Sequence, residues 1–274
     1  MARYAFLGPA GTFSEEALRG LGLDNPEHVA CASIPEVFTT IERGRADAGI
    51  VPIENSVEGS VNATLDALGF DSSLTIHGEC VLNVRHALIV APGVGLRDIT
   101  RVASHPQATA QCRKWLAHNL PGVPIEAANS TAEAVQQAVA EPGVAGVGTR
   151  LAAEIHGGHV LEESIEDFAD NQTRFVLIGR TKMARTGDDK TSLALFMHED
   201  KPGALLMILS EFAYGGINLT KIQSRPTKQV LGEYMFFVDL AGHVDDPQVA
   251  LALACLRLKL REVKVLGSYP RYRG

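Results

Sequence analysis

Residues 1–180 alternate short apolar runs with capped helical patterns, and they do so twice. A helix between consecutive strands lets those strands lie parallel, so this alternation commits a chain to helix-covered, mainly parallel sheets. The first set predicts a strand over 4–7 and a helix from the capping box Thr12-x-x-Glu15 to about residue 21. A second helix opens at Ser33-x-x-Glu36 and closes at Gly44. A buried strand over 48–53, a helix over 60–68 and a long strand-like stretch over 74–90 follow. The second set predicts strands over 101–104, 125–128, 144–147 and 174–178, with helices over 106–120, after Ser130-x-x-Glu133, and over 150–155. Two sets imply two lobes with a cleft between them, roughly 1–80 with 165–180, and 81–164.

After the polar stretch TKMARTGDDKTS (181–192) the order changes. Strand, helix, strand, strand, helix, strand patterns over 192–197, 203–214, 217–223, 234–240, 247–260 and 263–266 predict a ferredoxin-like βαββαβ unit. The expected organisation is an α/β chain with a two-lobe part over 1–180, a linker over 181–190 and a second domain over 191–274.

Charge follows the same division. Residues 1–180 hold 12 Lys+Arg against 22 Asp+Glu, a net −10, and the remainder holds 13 against 10, a net +3. Such a balance argues against a nucleic-acid partner. No apolar run is long enough for a membrane span, and the start of the chain reads as a strand rather than a leader, so a cytoplasmic protein is expected. Cys31, Cys80, Cys112 and Cys255 are scattered, as reduced thiols would be. No metal-ligand spacing, phosphate loop, dinucleotide fingerprint or nucleophile elbow is present, so neither metal nor cofactor is expected.

Four polar clusters could carry chemistry. Gly8–Ser14 joins a strand to a helix N-terminus and reads either as an anion seat or as an ordinary tight turn. In 52–60, Glu54, Asn55, Ser56, Glu58 and Ser60 crowd the C-terminal end of a strand, where parallel sheets bind ligands. In 104–112, Ser104 and Pro106 suit a helix start, while Gln107 and Gln111 share a helical face. His105 stands alone as evidence. In 168–179, Asp170 to Arg174 crowd the entrance of an apolar strand, as a turn or as a site.

Taken in order, GPAGTFSE (8–15), VPIENSVEGS (51–60), SHPQATAQC (104–112) and NQTRF (171–175) resemble the prephenate dehydratase family. KPGAL (201–205), GINLTKI (216–222) and QSRP (223–226) resemble an ACT domain. The resemblance implies a periplasmic-binding-protein-like two-lobe catalytic part and a phenylalanine-sensing part. It implies conversion of prephenate to phenylpyruvate, water and carbon dioxide, driven by aromatisation and needing no cofactor. Thr173 is then the hydrogen-bond donor to the departing hydroxyl, helped by Glu58 or a water. Asn55, Ser104 and Gln111 fix the substrate's carboxylates and ring. Thr12, Ser14 and Gln107 join the binding residues, Arg174 pairs a carboxylate, and Phe175 packs near the ring or fills the core. Because the substrate is a dianion and the catalytic part is acidic, attraction must come locally, from the helix starts at 11–15 and 105–108 and from Arg174. The implied effector site lies between Gly203, Ala204 and Leu205 of one subunit and Asn218, Leu219 and Thr220 of another, which requires a homodimer or homotetramer. The family's regulatory motif usually begins with Glu where this chain has Gln223, which bears on the strength and sign of the effector response. The alternatives are arogenate dehydratase, the same chemistry on an aminated substrate, and a non-catalytic two-lobe binding protein with an amino-acid-sensing domain.

Overall fold

A computed structural model describes residues 1–198, 201–228 and 233–273. The chain divides into two units, Met1–Val61 with Cys80–Phe175, and Asn62–Glu79 with Val176–Gly274. In chain order the elements begin β1 (Arg3–Leu7), α1 (Phe13–Gly20), β2 (Glu27–Cys31), α2 (Ile34–Glu42), β3 (Ala48–Asn55), β4 (Gly59–Ser60) and α3 (Asn62–Asp66). Next come β5 (Thr75–Asn83), β6 (Ala87–Val90), β7 (Arg101–Ser104), α4 (Pro106–Gln111), α5 (Arg113–Asn119), β8 (Ile125–Ala127), α6 (Thr131–Ala140), β9 (Val144–Gly148), α7 (Arg150–His156), β10 (His159–Glu162) and β11 (Gln172–Gly179). The series ends β12 (Asp189–Phe196), α8 (Ala204–Tyr214), β13 (Leu219–Pro226), β14 (Tyr234–Ala241), α9 (Pro247–Lys259) and β15 (Glu262–Pro270).

The first sheet runs β2-β1-β3-β11-β5, with β4 paired to β3. Here β1 is parallel to both β2 and β3, and Phe6, Leu18, Ile50 and Phe175 form its core under α1. The second sheet runs β10-β6-β9-β7-β8. Its β7 is parallel to β8 and β9, whereas β6 is antiparallel to β9 and β10. A third, four-stranded sheet, β13-β14-β12-β15, has the strand order of the expected βαββαβ unit.

Differences from the sequence expectation have local causes. The strands β2 and β10 are additional, and both are sheet edges with mixed burial, so no apolar run announces them. The stretch 74–90 is two strands, because Val84–His86 turns the chain between the first and second sheets. The helix expected over 106–120 breaks at the buried Cys112, whose φ of −112° and ψ of 13° leave helical geometry. The helix expected over 60–68 is the short α3, continued by a π-turn over Ala67–Asp71.

Strand β9, VAGVG, is buried along its whole length, and α6 presses on it. A Cβ at Gly146 would stand 2.5 Å from the Ala134 carbonyl oxygen. Gly146→Ala is therefore expected to destabilise the chain by about 1–3 kcal/mol through overpacking. Urea unfolding checks this: a lower midpoint with an unchanged slope is expected, and an unmoved midpoint would show that α6 yields.

Candidate active site

A cavity of about 390 Å³ opens within the first unit. Helix starts supply much of its wall: Thr12, Phe13 and Ser14 at α1, Ala32 and Ile34 at α2, His105, Gln107 and Ala108 at α4, and Asn129, Ser130 and Thr131 at α6. Among the described residues, no Lys, Arg, Asp or Glu lines it. Attraction for an anion in this cavity must therefore be dipolar, from helix N-termini worth up to about half a charge each.

These helix starts differ in how they are closed. At α2, Ser33 Oγ accepts from the Glu36 N–H at 3.3 Å, and the Glu36 carboxylate accepts from the Ala32 N–H at 2.8 Å. At α6, Ser130 and Glu133 make the same reciprocal pair, at 3.0 and 2.9 Å. The box expected at α1 forms only in half. Thr12 turns its hydroxyl back to the Leu7 carbonyl at 2.8 Å, and Glu15 accepts from the Gly11 N–H at 2.7 Å. Glu15 is buried and also bonded by Arg19 and His28, so its carboxylate is fixed at the same backbone position that Glu36 and Glu133 take, and only the Thr12 side-chain bond is missing. Burial pushes its carboxyl up, but the bonds from Gly11, Arg19 and His28 outweigh this and hold it below the usual carboxylate range. The N-cap side chain thus leaves the first turn of α1 open toward the cavity. The preceding turn is fixed by Gly11, at φ +89°, whose carbonyl accepts from Thr149 Oγ1 at 2.6 Å. A Cβ there would meet Ala152 Cα at 2.8 Å, so α7 can press this close only on glycine.

Across the cavity floor runs a chain of side-chain amides. Asn55 Oδ1 accepts from the backbone N–H groups of Val57 and Glu58, each at 2.9 Å. Asn55 Nδ2 donates to Asn171 Oδ1 at 2.8 Å and to Thr173 Oγ1 at 2.9 Å, with the Gln172 carbonyl at 3.2 Å. Asn171 Nδ2 donates to Gln111 Oε1 at 3.1 Å, and His86 Nε2 lies 3.0 Å from the same oxygen. Burial holds the His86 imidazole below its ordinary pKa, against the opposing effects of the Gln111 bond and Glu166. Phe13 meets the ring edge-on, with centroids 5.3 Å apart.

Thr12, Ser14, Asn55, Gln107, Gln111, Thr173 and Phe175 all line the cavity. Phe175 both lines the cavity and belongs to the core with Phe6 and Ile50. Three of the expected residues are not in the lining. Ser104 is fully buried and its hydroxyl donates to the His105 carbonyl at 3.2 Å. Glu58 is exposed, and it is the backbone N–H that bonds to Asn55. Arg174 lies one residue from Thr173 and Phe175, so the two-residue period of β11 turns it to the opposite face. Its guanidinium stands 3.6 Å from Glu54, and the expected pairing with a ligand carboxylate is replaced by this ion pair.

His86 and Asn129 are missed by sequence reasoning, and Phe13 and Asn171, though inside the marked clusters, are given no role there. Asn171 sits in plain view beside Thr173, but its role depends on residues 60 and 116 positions away. His86 lies just before the apolar run 87–90, which gives no sign that the ring faces a cavity.

In the second unit, Gly203, Ala204 and Leu205 line a cavity of about 340 Å³ with Met197, Lys201, Leu206, Leu209 and Phe236. Asn218, Leu219 and Thr220 do not line it. The Asn218 carbonyl accepts from the Ala241 N–H at 2.9 Å, and Thr220 Oγ1 donates to the Asp239 carbonyl at 3.4 Å. Within one chain the two expected effector segments therefore do not meet at this cavity.

Chemically, the first-unit cavity can seat anions on helix N-termini and offer neutral hydrogen-bond donors. Among the described residues, no hydroxyl that lines it bonds to a histidine side chain.

Residues 4–183 match the family model described as prephenate dehydratase, and residues 191–254 that of the ACT domain. The chain is 43% identical over 277 residues to a prephenate dehydratase of Amycolatopsis methanolica, a match covering 100% of this chain and 90% of that protein. It is 41% identical over 269 residues to a bifunctional chorismate mutase/prephenate dehydratase of Aquifex aeolicus, across 98% of this chain and 74% of that one. Among solved structures, the prephenate dehydratase of Arthrobacter aurescens in complex with L-Phe superposes with a TM-score of 0.89 at 40% identity, covering 98% of this chain and 90% of that one. A protein described as a novel type of quorum-quenching acylase superposes with a TM-score of 0.88 at 28% identity, over 98% of both chains.

Proposed function

The chain belongs to the prephenate dehydratase family and carries an ACT domain, and we propose that its first-unit cavity is where prephenate becomes phenylpyruvate, water and carbon dioxide. We assign residues 1–180 to catalysis, 181–190 to a linker and 191–274 to regulation. The ring carboxylate leaves as carbon dioxide, and the electron pair of that C–C bond enters the ring. The C–O bond to the ring hydroxyl breaks, and the oxygen leaves as water after gaining a proton. The substrate carboxylates are held at the helix-start wall of the cavity, with the uncapped first turn of α1 as the principal anion seat.

One observation carries the assignment of Thr173. Its Oγ1 accepts from Asn55 Nδ2, so its own hydrogen is left for the cavity. That hydrogen polarises the leaving oxygen. A threonine hydroxyl is too weak an acid to surrender its proton near neutral pH. With Glu58 exposed and outside the lining, solvent water supplies the proton.

The lining also favours prephenate over arogenate. Arogenate brings an ammonium group, and among the described residues no carboxylate lines the cavity to meet it. The acylase reading lacks an activated nucleophile, since no lining hydroxyl bonds to a histidine side chain among the described residues.

The effector reading places phenylalanine between residues 203–205 of one copy and 218–220 of another. Dimerisation is supported by exposed apolar side chains, Leu206 at 68%, Tyr214 at 87%, Leu251 at 67% and Leu258 at 87%, and by β13 at a sheet edge. A cytoplasmic location fits four free cysteines.

Incubation with prephenate tests the whole reading. Phenylpyruvate should form without added cofactor, and phenylalanine should change both the rate and the sedimentation coefficient. No product from prephenate, alongside cleavage of an acyl amide, would replace this reading with the acylase one.

A further inference from the structure

We infer that His86 and Asn171 are positioning residues: both donate to Gln111 Oε1 and thereby hold the Gln111 NH₂ group toward a substrate carboxylate. The inference rests on the prephenate reading for the identity of the ligand, but the direction of the network follows from the protein alone.

Two groups that can only donate set that direction. The backbone N–H groups of Val57 and Glu58 both meet one side-chain atom of Asn55, which must be its oxygen. The amide nitrogen of Asn55 then faces Asn171 at 2.8 Å, so the Asn171 atom there must be an acceptor, Oδ1. This turns Asn171 Nδ2 to Gln111 at 3.1 Å, and Gln111 must answer with Oε1. The imidazole nitrogen 3.0 Å from that oxygen is Nε2, which must carry the hydrogen. Every amide orientation and the histidine tautomer are thus fixed in sequence from one backbone turn.

Two consequences follow at the cavity. Gln111 Oε1 is occupied by two donors, so its NH₂ remains as the polar end available to a ligand, and Gln111 lines the cavity. The other imidazole nitrogen, Nδ1, is buried and has no partner among the described residues, as expected for the nitrogen without a hydrogen. His86 is 2% exposed, and its backbone N–H is held by Glu166 at 2.9 Å, so the ring has little freedom to leave Gln111.

The decisive comparison is between two substitutions. Glutamine can place an amide nitrogen where His86 Nε2 lies, whereas asparagine is too short. His86→Asn is expected to raise KM about tenfold, the effect of one lost bond to a ligand-orienting group, with a smaller change in kcat. Asn171→Asp keeps the acceptor for Asn55 but loses the donor to Gln111, and the same KM-weighted loss is expected. His86→Gln should recover most of what His86→Asn loses. A wild-type KM in His86→Asn would overturn the inference. So would a His86→Gln variant that loses kcat by orders of magnitude, because His86 would then be moving a proton. Nitrogen-15 NMR of the wild-type protein supplies a readout free of turnover: His86 should be neutral and protonated at Nε2 near neutral pH. An Nδ1–H ring or an imidazolium would overturn the inference even if the variants fold poorly. Should the wild type fail to consume prephenate while His86 shows the Nε2–H form, the substrate assignment fails and the network direction stands.

Discussion

Thr173→Ala lowers kcat by about two to three orders of magnitude and leaves KM within a few-fold, the pattern of a donor that matters when charge develops. The ground-state hydroxyl of the substrate is neutral and needs little from Thr173. As the C–O bond stretches, its oxygen gains negative charge, and a preoriented O–H in a cavity whose described lining has no competing cation is worth most at that moment. Thr173→Ser should retain most of the activity, because it keeps the acceptor for Asn55 and the donor for the ligand. Thr173→Val keeps the shape and should resemble alanine. Steady-state kinetics of the three variants decide the matter, and near-normal kcat in the alanine variant would remove Thr173 from the mechanism. Asn55 Nδ2 retains Asn171 and the Gln172 carbonyl in that variant, so the rest of the network stays directed as before.

The strand-and-helix alternation is readable in the sequence because buried strands such as β3 and β9 are continuous apolar runs. Strands β2 and β10 are hidden there, as edge strands of mixed burial with no continuous apolar run. Of the site, Asn55, Gln111 and Thr173 stand out because several polar groups crowded beside apolar runs need partners. Arg174 misleads for a simple reason: charge complementarity points to an arginine, while strand periodicity turns it to Glu54. The capping box at Thr12 misleads on one half only: Glu15 takes the Gly11 N–H as Glu36 and Glu133 take theirs, but the Thr12 hydroxyl turns back to the Leu7 carbonyl instead of capping the helix. Asn171 lies in a cluster the sequence marks, but its role, like that of His86, appears only when Gln111 is brought alongside by the fold.

Asn55→Asp is expected to be the most damaging single-atom change, lowering kcat/KM by about three to four orders of magnitude, or roughly 4–5.5 kcal/mol of transition-state stabilisation. One carboxylate oxygen keeps the N–H groups of Val57 and Glu58. The other replaces the amide donor that faces Asn171 Oδ1 and Thr173 Oγ1. Thr173 must then rotate its hydrogen toward the new carboxylate, and the leaving oxygen loses it. Asn171 turns its amide to donate to the same carboxylate, presents oxygen to Gln111, and forces Gln111 to offer its own carbonyl to the substrate carboxylate. The substitution thus reverses the polarity of the chain, so both kcat and KM suffer. Two backbone N–H groups and the rotated Thr173 hydroxyl compensate the new charge, so the protein should still fold, with a circular dichroism spectrum like that of the wild type. The cycle with Thr173→Ala is the sharp test. If Asn55 acts through Thr173, adding Thr173→Ala to Asn55→Asp should cost only a few-fold more in kcat, far less than the same change in the wild type. Additive losses would mean that Asn55 and Thr173 act separately on the substrate, and the directed network would not be the basis of catalysis.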